Sequence, residues 1–241
     1  MSYSEITFND KNTVKRFLQN HRLVVATKLV DHHITRYNCI CDYGAGNGEL
    51  CIHLHRQNPH SKIICYEPTS DLLEEARENL SKIYNIEFCQ DVNQISESTI
   101  DIVYCLEVFE HLPIKETLDA LEKIYKILKP GGTLIIGVPV EVGIPAFYKG
   151  IFRMSRRHGV FDTSPRNILL SLIGFPPKNR PIDEISPGFR FHYYHTGFDY
   201  RDFKKTLNTK FKLSNTSTSP MQIFGPLLMP EIYFVANKPN Q

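Results

Sequence analysis

Tryptophan is absent from this 241-residue chain, and no glycine occurs before residue 44. The six cysteines, at 39, 41, 51, 65, 89 and 105, form no Cys-x-x-Cys pair and lie mostly in apolar runs. Reduced core thiols are therefore expected, rather than a zinc site or a disulfide framework. The longest apolar stretches, such as Thr133 to Val140, are far too short to span a bilayer. Net charge is also nearly missing: 28 Lys+Arg stand against 26 Asp+Glu, a formal +2. That argues against a surface devoted to nucleic acid and leaves room for a local basic patch. The first twenty residues mix both charge signs without an apolar core segment, so no secretory signal is read there. By elimination the expected location is the cytoplasm.

What is present suffices for a sizeable core, because Leu, Ile, Val and Phe together make up 72 residues. The length suits one domain over 1–241 with an elaboration. Apolar positions Val14, Phe17, Leu18, Val25 and Leu29 predict an amphipathic helix over about residues 12–30, within an N-terminal helical lead of 1–36. Short apolar runs then alternate with helical patterns. Strands are expected at Cys39–Cys41, Lys62–Tyr66, Ile86–Gln90, Ile100–Leu106 and Thr133–Val138. Leu72, Leu73, Ala76, Leu80 and Ile83 mark one intervening helix. Ile114, Leu118, Leu121, Tyr125 and Leu128 mark another, which stops at Pro130-Gly131-Gly132. Such alternation means βαβ units and a doubly wound, mostly parallel α/β sheet. A helix at Tyr200–Leu207 and strands at Phe211–Thr218 and Glu231–Ala236 bring the sheet to seven strands.

Residues 141–190 break the rhythm. They hold eight Lys/Arg against four Asp/Glu and six of the 15 prolines, and they read as an inserted cap with helices at Ala146–Arg157 and Pro165–Ile173.

Three glycines arrive within five positions in Asp42-Tyr43-Gly44-Ala45-Gly46-Asn47-Gly48, between the first strand and a helix opening at Glu49. Ligands of open α/β sheets bind at this carboxyl edge, and glycine lets the backbone turn tightly and come close to them. A dinucleotide fingerprint wants a sixth-position glycine with pyrophosphate on the helix N-terminus. Here that position is Glu49, which repels a pyrophosphate. Asp42, ahead of the loop, suits a ligand carrying an ammonium or sulfonium charge, which favours S-adenosylmethionine over NAD. Glu67 ends the second strand, where ribose hydroxyls are held. Asp91 ends the third and can accept from an adenine amine, with the Val92 backbone N–H beside it.

Residues 38–140 resemble a class I S-adenosylmethionine-dependent methyltransferase. The resemblance rests on CDYGAGNGEL, CYEPTSDLLEEAREN, CQDV, IVYCLEVFEHL and LKPGGTLIIGVPV. It is specific for the superfamily and silent on the acceptor. It implies the Rossmann-like methyltransferase fold with a helical insertion after the fifth strand, and S-adenosylmethionine as cofactor, leaving S-adenosylhomocysteine. It also implies a cofactor pocket of Asp42, Gly44, Gly46, Gly48, Glu67, Pro68, Asp91, Val92, Leu106 and Glu107. Arg22, on the leading helix, is a candidate for the cofactor carboxylate, although a solvated helix charge is the plainer reading.

Glu107, Glu110 and His111 share one face if a helical turn follows the fourth strand. Two carboxylates and an imidazole bind a divalent ion or pass a proton. The segment resembles runs that help hold a metal in ubiquinone-biosynthesis O-methyltransferases and in small-RNA 2′-O-methyltransferases, where a distal histidine joins; here His192 or His195 is available. Glu-His-Leu also recurs without a metal, so no metal is assigned. Glu110, His111 and His195 are taken as the catalytic candidates, with His195 as general base.

Seven aromatics between Phe189 and Phe203 read equally as an acceptor wall or as a core seam. Aromatic and basic residues interleave from Ala146 to His158. They suit a lid helix with solvated arginines first, and a membrane surface or a phosphate-bearing acceptor second. The expected function is methyl transfer to an oxygen or nitrogen of a small or lipid-like acceptor, with nucleic acid not expected as a partner. Metal-assisted RNA ribose methylation and a non-catalytic cofactor-binding module are the alternatives, and a dehydrogenase ranks last.

Overall fold

The computed structural model describes residues 13–30, 37–156, 160–186 and 189–240. Helix α1, Thr13–Thr27, leads into strand β1, Cys39–Tyr43. There follow α2 (Glu49–Gln57), β2 (Lys62–Tyr66), α3 (Ser70–Asn79), β3 (Ile86–Cys89), β4 (Ile100–Leu106), α4 (Ile114–Ile127) and β5 (Leu128–Pro139). The inserted stretch forms α5 (Ile144–Met154), α6 (Pro165–Leu172) and a two-stranded ladder of β6 (Asp183–Ser186) with β7 (Phe189–Phe191). Helix α7 (Tyr200–Leu207), β8 (Lys212–Ser219), the short α8 (Gly225–Leu228) and β9 (Glu231–Asn237) complete the order.

Seven strands form one sheet in the order β3-β2-β1-β4-β5-β9-β8. The first five run parallel, and β9 is antiparallel to both β5 and β8. Order reverses between β1 and β4, so the loops after these strands diverge and open a crevice at their carboxyl ends. The central strands are apolar on both faces because each face is covered. Cys41, Val103 and Ile136 belong to one core, and Ile40, Ile63 and Ile135 to the other. All six cysteines are free thiols, as expected, and all but Cys39 are buried.

Two local readings shift. On α4 the buried stripe is Thr117, Ala120, Leu121, Ile124 and Ile127, while Ile114 and Leu118 are exposed. The core-facing line lies one position away from the expected one because a buried threonine and alanine belong to it. Strand β5 also starts earlier than Thr133: Leu128 pairs with Ile100, and the irregularity over 129–132 is absorbed before regular pairing resumes at Ile102↔Thr133. The insertion helices fall where expected, but the β6–β7 ladder was not anticipated. For the leading helix, the side chains of Val14, Phe17 and Leu18 lie outside the described residues, as do residues 1–12 and 31–36 of the proposed lead and Arg157 at the end of the first cap helix.

Candidate active site

The crevice floor is the glycine loop after β1. Gly44 and Ala45 donate their backbone N–H groups to the Tyr66 carbonyl, both at 2.9 Å, which ties the loop to the end of β2. Gly44 has φ +79° and a Cβ there would meet Val108 at 2.5 Å, while Gly48, φ +83°, opens α2 and would meet Leu80 at 2.5 Å. Both positions exclude a side chain on two counts, conformation and space. Gly46 donates to Glu67 Oε2 at 2.9 Å, and Thr69 donates to Glu67 Oε1 at 3.0 Å. Glu67 is thus a buried brace for the loop whose oxygens keep acceptor capacity for a hydroxyl. Burial raises its pKa, against these two donors.

Asp42 is almost wholly buried, accepts a long bond from the Cys51 thiol at 3.5 Å, and has its pKa pushed up to about 7 by burial. An acid held in apolar surroundings with so weak a donor favours an added positive charge. Asp91 caps a turn by accepting from the backbone and side-chain amides of Asn93, at 3.0 and 2.8 Å, with Val92 buried beside it. Leu106 ends β4, so close to β5 that a Cβ on Gly137 would lie 2.9 Å from it. Pro68 follows Glu67 and accepts from Gln90 at 3.3 Å. Two buried carboxylates and a capped aspartate on successive strand ends, around a loop without side chains, fit a ligand with an ammonium group, ribose hydroxyls and an adenine.

Glu107 sits at the tip of β4 with φ +55°, uncommon for a residue with a side chain. Its partner corrects the plainer reading of Arg22. That guanidinium is no solvated helix charge: Nη1 lies 3.0 Å from Glu107 and Nη2 2.5 Å from Glu231 at the start of β9. Burial opposes its charge, yet the two carboxylates raise its pKa overall. Tyr233 Oη adds contacts at 3.2 Å to the Arg22 carbonyl and 3.1 Å to Glu231. Helix α1 is thereby clamped over the carboxyl end of β4 and the start of β9.

A single turn of 3-10 helix at Phe109–His111 follows. It brings Glu110 and His111 together with His195, from the segment after β7. The two histidine Nε2 atoms are 3.1 Å apart, and Glu110 Oε1 lies 3.8 Å from His111 and 4.0 Å from His195. His111 Nδ1 donates to the His192 carbonyl at 2.8 Å, which leaves Nε2 as the acceptor in the neutral ring. His192 itself turns its Nδ1 to the Pro181 carbonyl and is not part of the cluster. Glu110 is fully buried with neither carboxylate oxygen partnered, and burial pushes its pKa up to about 7. Burial drives His195 well below the ordinary imidazole value. Glu107, expected on the same face, is engaged by Arg22 and also lies near enough to Glu110 for each carboxyl to bear on the other's pKa. One ligand atom from each of Glu110, His111 and His195 falls within a 4.8 Å span, a set that can hold a metal ion.

Beside His195 lies a cavity of about 390 Å³ lined also by Phe152, Arg153, Asp162, Tyr193 and Tyr194. The aromatic segment therefore divides: Tyr193 and Tyr194 face the cavity, while Phe198 and Phe203 are buried in the core, Phe203 against Phe109 and Phe234. Glu141, just past β5, was missed from sequence. It is buried between Lys149 Nζ (2.7 Å) and Arg153, whose Nη1 and Nη2 lie 2.9 and 2.6 Å from it. Against burial, these two cations hold its carboxyl well below the usual range. Only a lone acid at a strand end marks it in sequence, too common a signal to act on. A larger cavity of about 780 Å³, at the turn from α6 toward α7, contains none of the predicted site residues.

Strand order, glycine loop and strand-end acids together define the fold of class I methyltransferases that use S-adenosylmethionine. Residues 41–134 match the model of a methyltransferase domain. The chain is 27% identical over 137 residues to carboxy-S-adenosyl-L-methionine synthase of Shewanella sediminis, covering 54% of this chain and 56% of that protein. It spans about half the length of the curated relatives it matches first. Among solved structures, the PH0226 protein of Pyrococcus horikoshii superposes with TM-score 0.66 at 16% identity, covering 98% of both chains. The Burkholderia thailandensis 1,6-didemethyltoxoflavin-N1-methyltransferase, solved with that acceptor and S-adenosylhomocysteine, superposes with TM-score 0.57 at 13% identity, covering 97% of this chain and 84% of that one. Residues 41–134 are thus similar to a methyltransferase domain, and the chain shares the Rossmann-like methyltransferase fold of these structures.

Proposed function

We propose that this protein moves the methyl group of S-adenosylmethionine to an oxygen or nitrogen of a small acceptor lying in the cavity beside His195. The observation that carries this reading is the Glu110–His111–His195 cluster, which follows β4 and whose His195 forms part of the cavity wall. Bound in the crevice, the cofactor supplies a sulfonium-activated methyl group. Asp42 holds its ammonium, Glu67 its ribose hydroxyls, and Asp91 with Val92 its adenine. His195, half-buried and held neutral by desolvation, takes the acceptor proton. His111, fixed by the His192 carbonyl, keeps Nε2 turned to His195, and Glu110 stabilises the imidazolium that forms. The cavity is of ordinary size for a small-molecule site, and a relative of the same fold is known with a small heterocyclic acceptor.

The test is turnover of S-adenosylmethionine to S-adenosylhomocysteine with fractionated small-molecule extracts as the acceptor source. His195→Ala and Glu110→Gln should each lower turnover by roughly 10²-fold or more while cofactor affinity stays within about threefold. Turnover without loss in either variant rejects these roles. Cofactor binding with no turnover on any fraction favours the non-catalytic module.

A second reading has its own observation, the Oε1 of buried Glu110, without a hydrogen-bond donor, 3.8 and 4.0 Å from two imidazole nitrogens. Glu110, His111 and His195 would then hold a divalent cation that orients the acceptor oxygen, with the His111–His192 bond fixing the ligand tautomer. Calorimetric titration of chelator-treated protein with Mn²⁺ or Zn²⁺ decides: binding lost in Glu110→Gln supports a metal, and no binding removes it.

A further inference from the structure

Helix α5 carries a surface that the cofactor site does not use. Its inward side is occupied: Gly150 lies so close to Ile168 of α6 that a Cβ would come within 2.6 Å, and Lys149 and Arg153 turn to Glu141. The opposite side presents Ile144, Phe147, Tyr148, Ile151 and Phe152, one stripe at helical spacing, all exposed, with Phe152 at 55%. Helix α8 lies alongside, the Tyr148 hydroxyl donating to the Leu228 carbonyl at 3.1 Å. Leu227 on it and Phe224 just ahead of it extend the stripe, and Ile223 beside Phe224 is 87% exposed. Single exposed apolar side chains need no explanation, but a contiguous face across two packed helices marks an interaction surface.

The charge pattern says what kind. Residues 142–161 and 219–230 contain no Asp or Glu, and their four charged side chains are all basic. Of the flanking acids, Glu141 and Asp162 are buried, and Glu231 is half-buried against Arg22. Arg156 stands at its edge with the guanidinium 4.6 Å from the Phe152 ring centre. Apolar and aromatic side chains in one plane, a cation at the rim and no acid to repel a negative surface are the chemistry of an interfacial helix. We propose that the α5–α8 face lies on the surface of an anionic lipid bilayer, with the apolar stripe among the headgroups and Arg156 against lipid phosphates. Phe152 and Arg156 also line the cavity beside His195, so docking places the edge of that cavity against lipid. The docking does not depend on which acceptor the cavity takes.

Flotation of the full chain with vesicles tests this directly. Wild type should float with equimolar phosphatidylcholine and phosphatidylglycerol, and less with phosphatidylcholine alone. Ile151→Glu/Leu227→Glu, at two exposed positions, should weaken binding by roughly tenfold or more, with circular dichroism, thermal midpoint and S-adenosylmethionine affinity unchanged. Arg156→Glu should abolish the preference for the anionic vesicles. Failure of wild type to float with anionic vesicles overturns the proposal, as does equal binding by the double variant. A lipid-free dimer in sedimentation velocity that the double variant dissolves also overturns it, by making the face a contact between copies.

Discussion

Ionising Asp42 in the folded chain destabilises it, because burial lifts the carboxyl from an ordinary 3.8 to about 7. A raised carboxyl pKa means that the folded state binds the proton more tightly, so stability falls as pH climbs from about 4 to about 7 and levels off beyond. A shift of about three pKa units corresponds to roughly 4 kcal/mol when fully expressed. Asp42→Asn should flatten that slope, read from urea midpoints at about pH 5 and about pH 8. The same variant should bind S-adenosylmethionine at least about tenfold more weakly, since the ammonium loses its counter-charge. A slope as steep as in wild type would mean the burden lies elsewhere, with Glu110 the next suspect; unchanged affinity would remove Asp42 from the pocket. Single residues were also where sequence reading was least able to see. Glu110 and His111 stood out through their spacing, but their meeting with His195 spans 84 positions and depends on how the insertion returns to β4. Glu141 offered no pattern at all, because its meaning comes from Lys149 and Arg153 one and two turns into α5.

At the scale of elements, the glycine loop and the α1 clamp respond differently to mutation. Gly44→Val would strain a left-handed backbone and strike Val108, so folding and binding would fail together. Glu67→Ala is milder: it removes the acceptor for Gly46 and Thr69, and should lower cofactor affinity by roughly tenfold and the thermal midpoint by only a few degrees, leaving the protein folded. A normal melt with normal affinity would show that the brace is dispensable. In the clamp, Arg22→Ala leaves Glu107 and Glu231 facing each other without their cation. A loss of about 3 kcal/mol is expected in denaturant titrations, and Arg22→Lys should recover only part of it because one ammonium cannot bridge both acids as a guanidinium does. Full recovery by lysine would reduce the clamp to a simple charge. The elements themselves were legible because strand runs, glycine turns and helix periods are local signals. The α4 stripe slipped by one position because Ile114 and Leu118 are apolar yet exposed, and apolarity alone does not say which face of a helix is covered. The aromatic segment resisted for a similar reason: ring content marks burial or a pocket alike, and here it serves both.

For the molecule as a whole, ligand choice should appear in the melt. S-adenosylhomocysteine at about a hundred times its dissociation constant should add about 2.7 kcal/mol, an upward shift of several degrees for a domain of this size. NAD at the same concentration should add nothing measurable, because no pyrophosphate is expected beside Glu49. A shift by NAD alone would overturn the cofactor assignment.

The Arg22 clamp also has a bearing on synthesis. It joins a residue of the first helix to one in the last strand, and Tyr233 seals it from the same strand. During translation the crevice floor, the glycine loop with β1, β2 and β4, exists as sequence long before Glu231 leaves the ribosome. The roof that α1 forms over it can reach Glu107 before then, but gains Glu231 and Tyr233 only with that strand. A nascent chain thus has the means to make the cofactor platform and half of the clamp early, and the other half waits for β9.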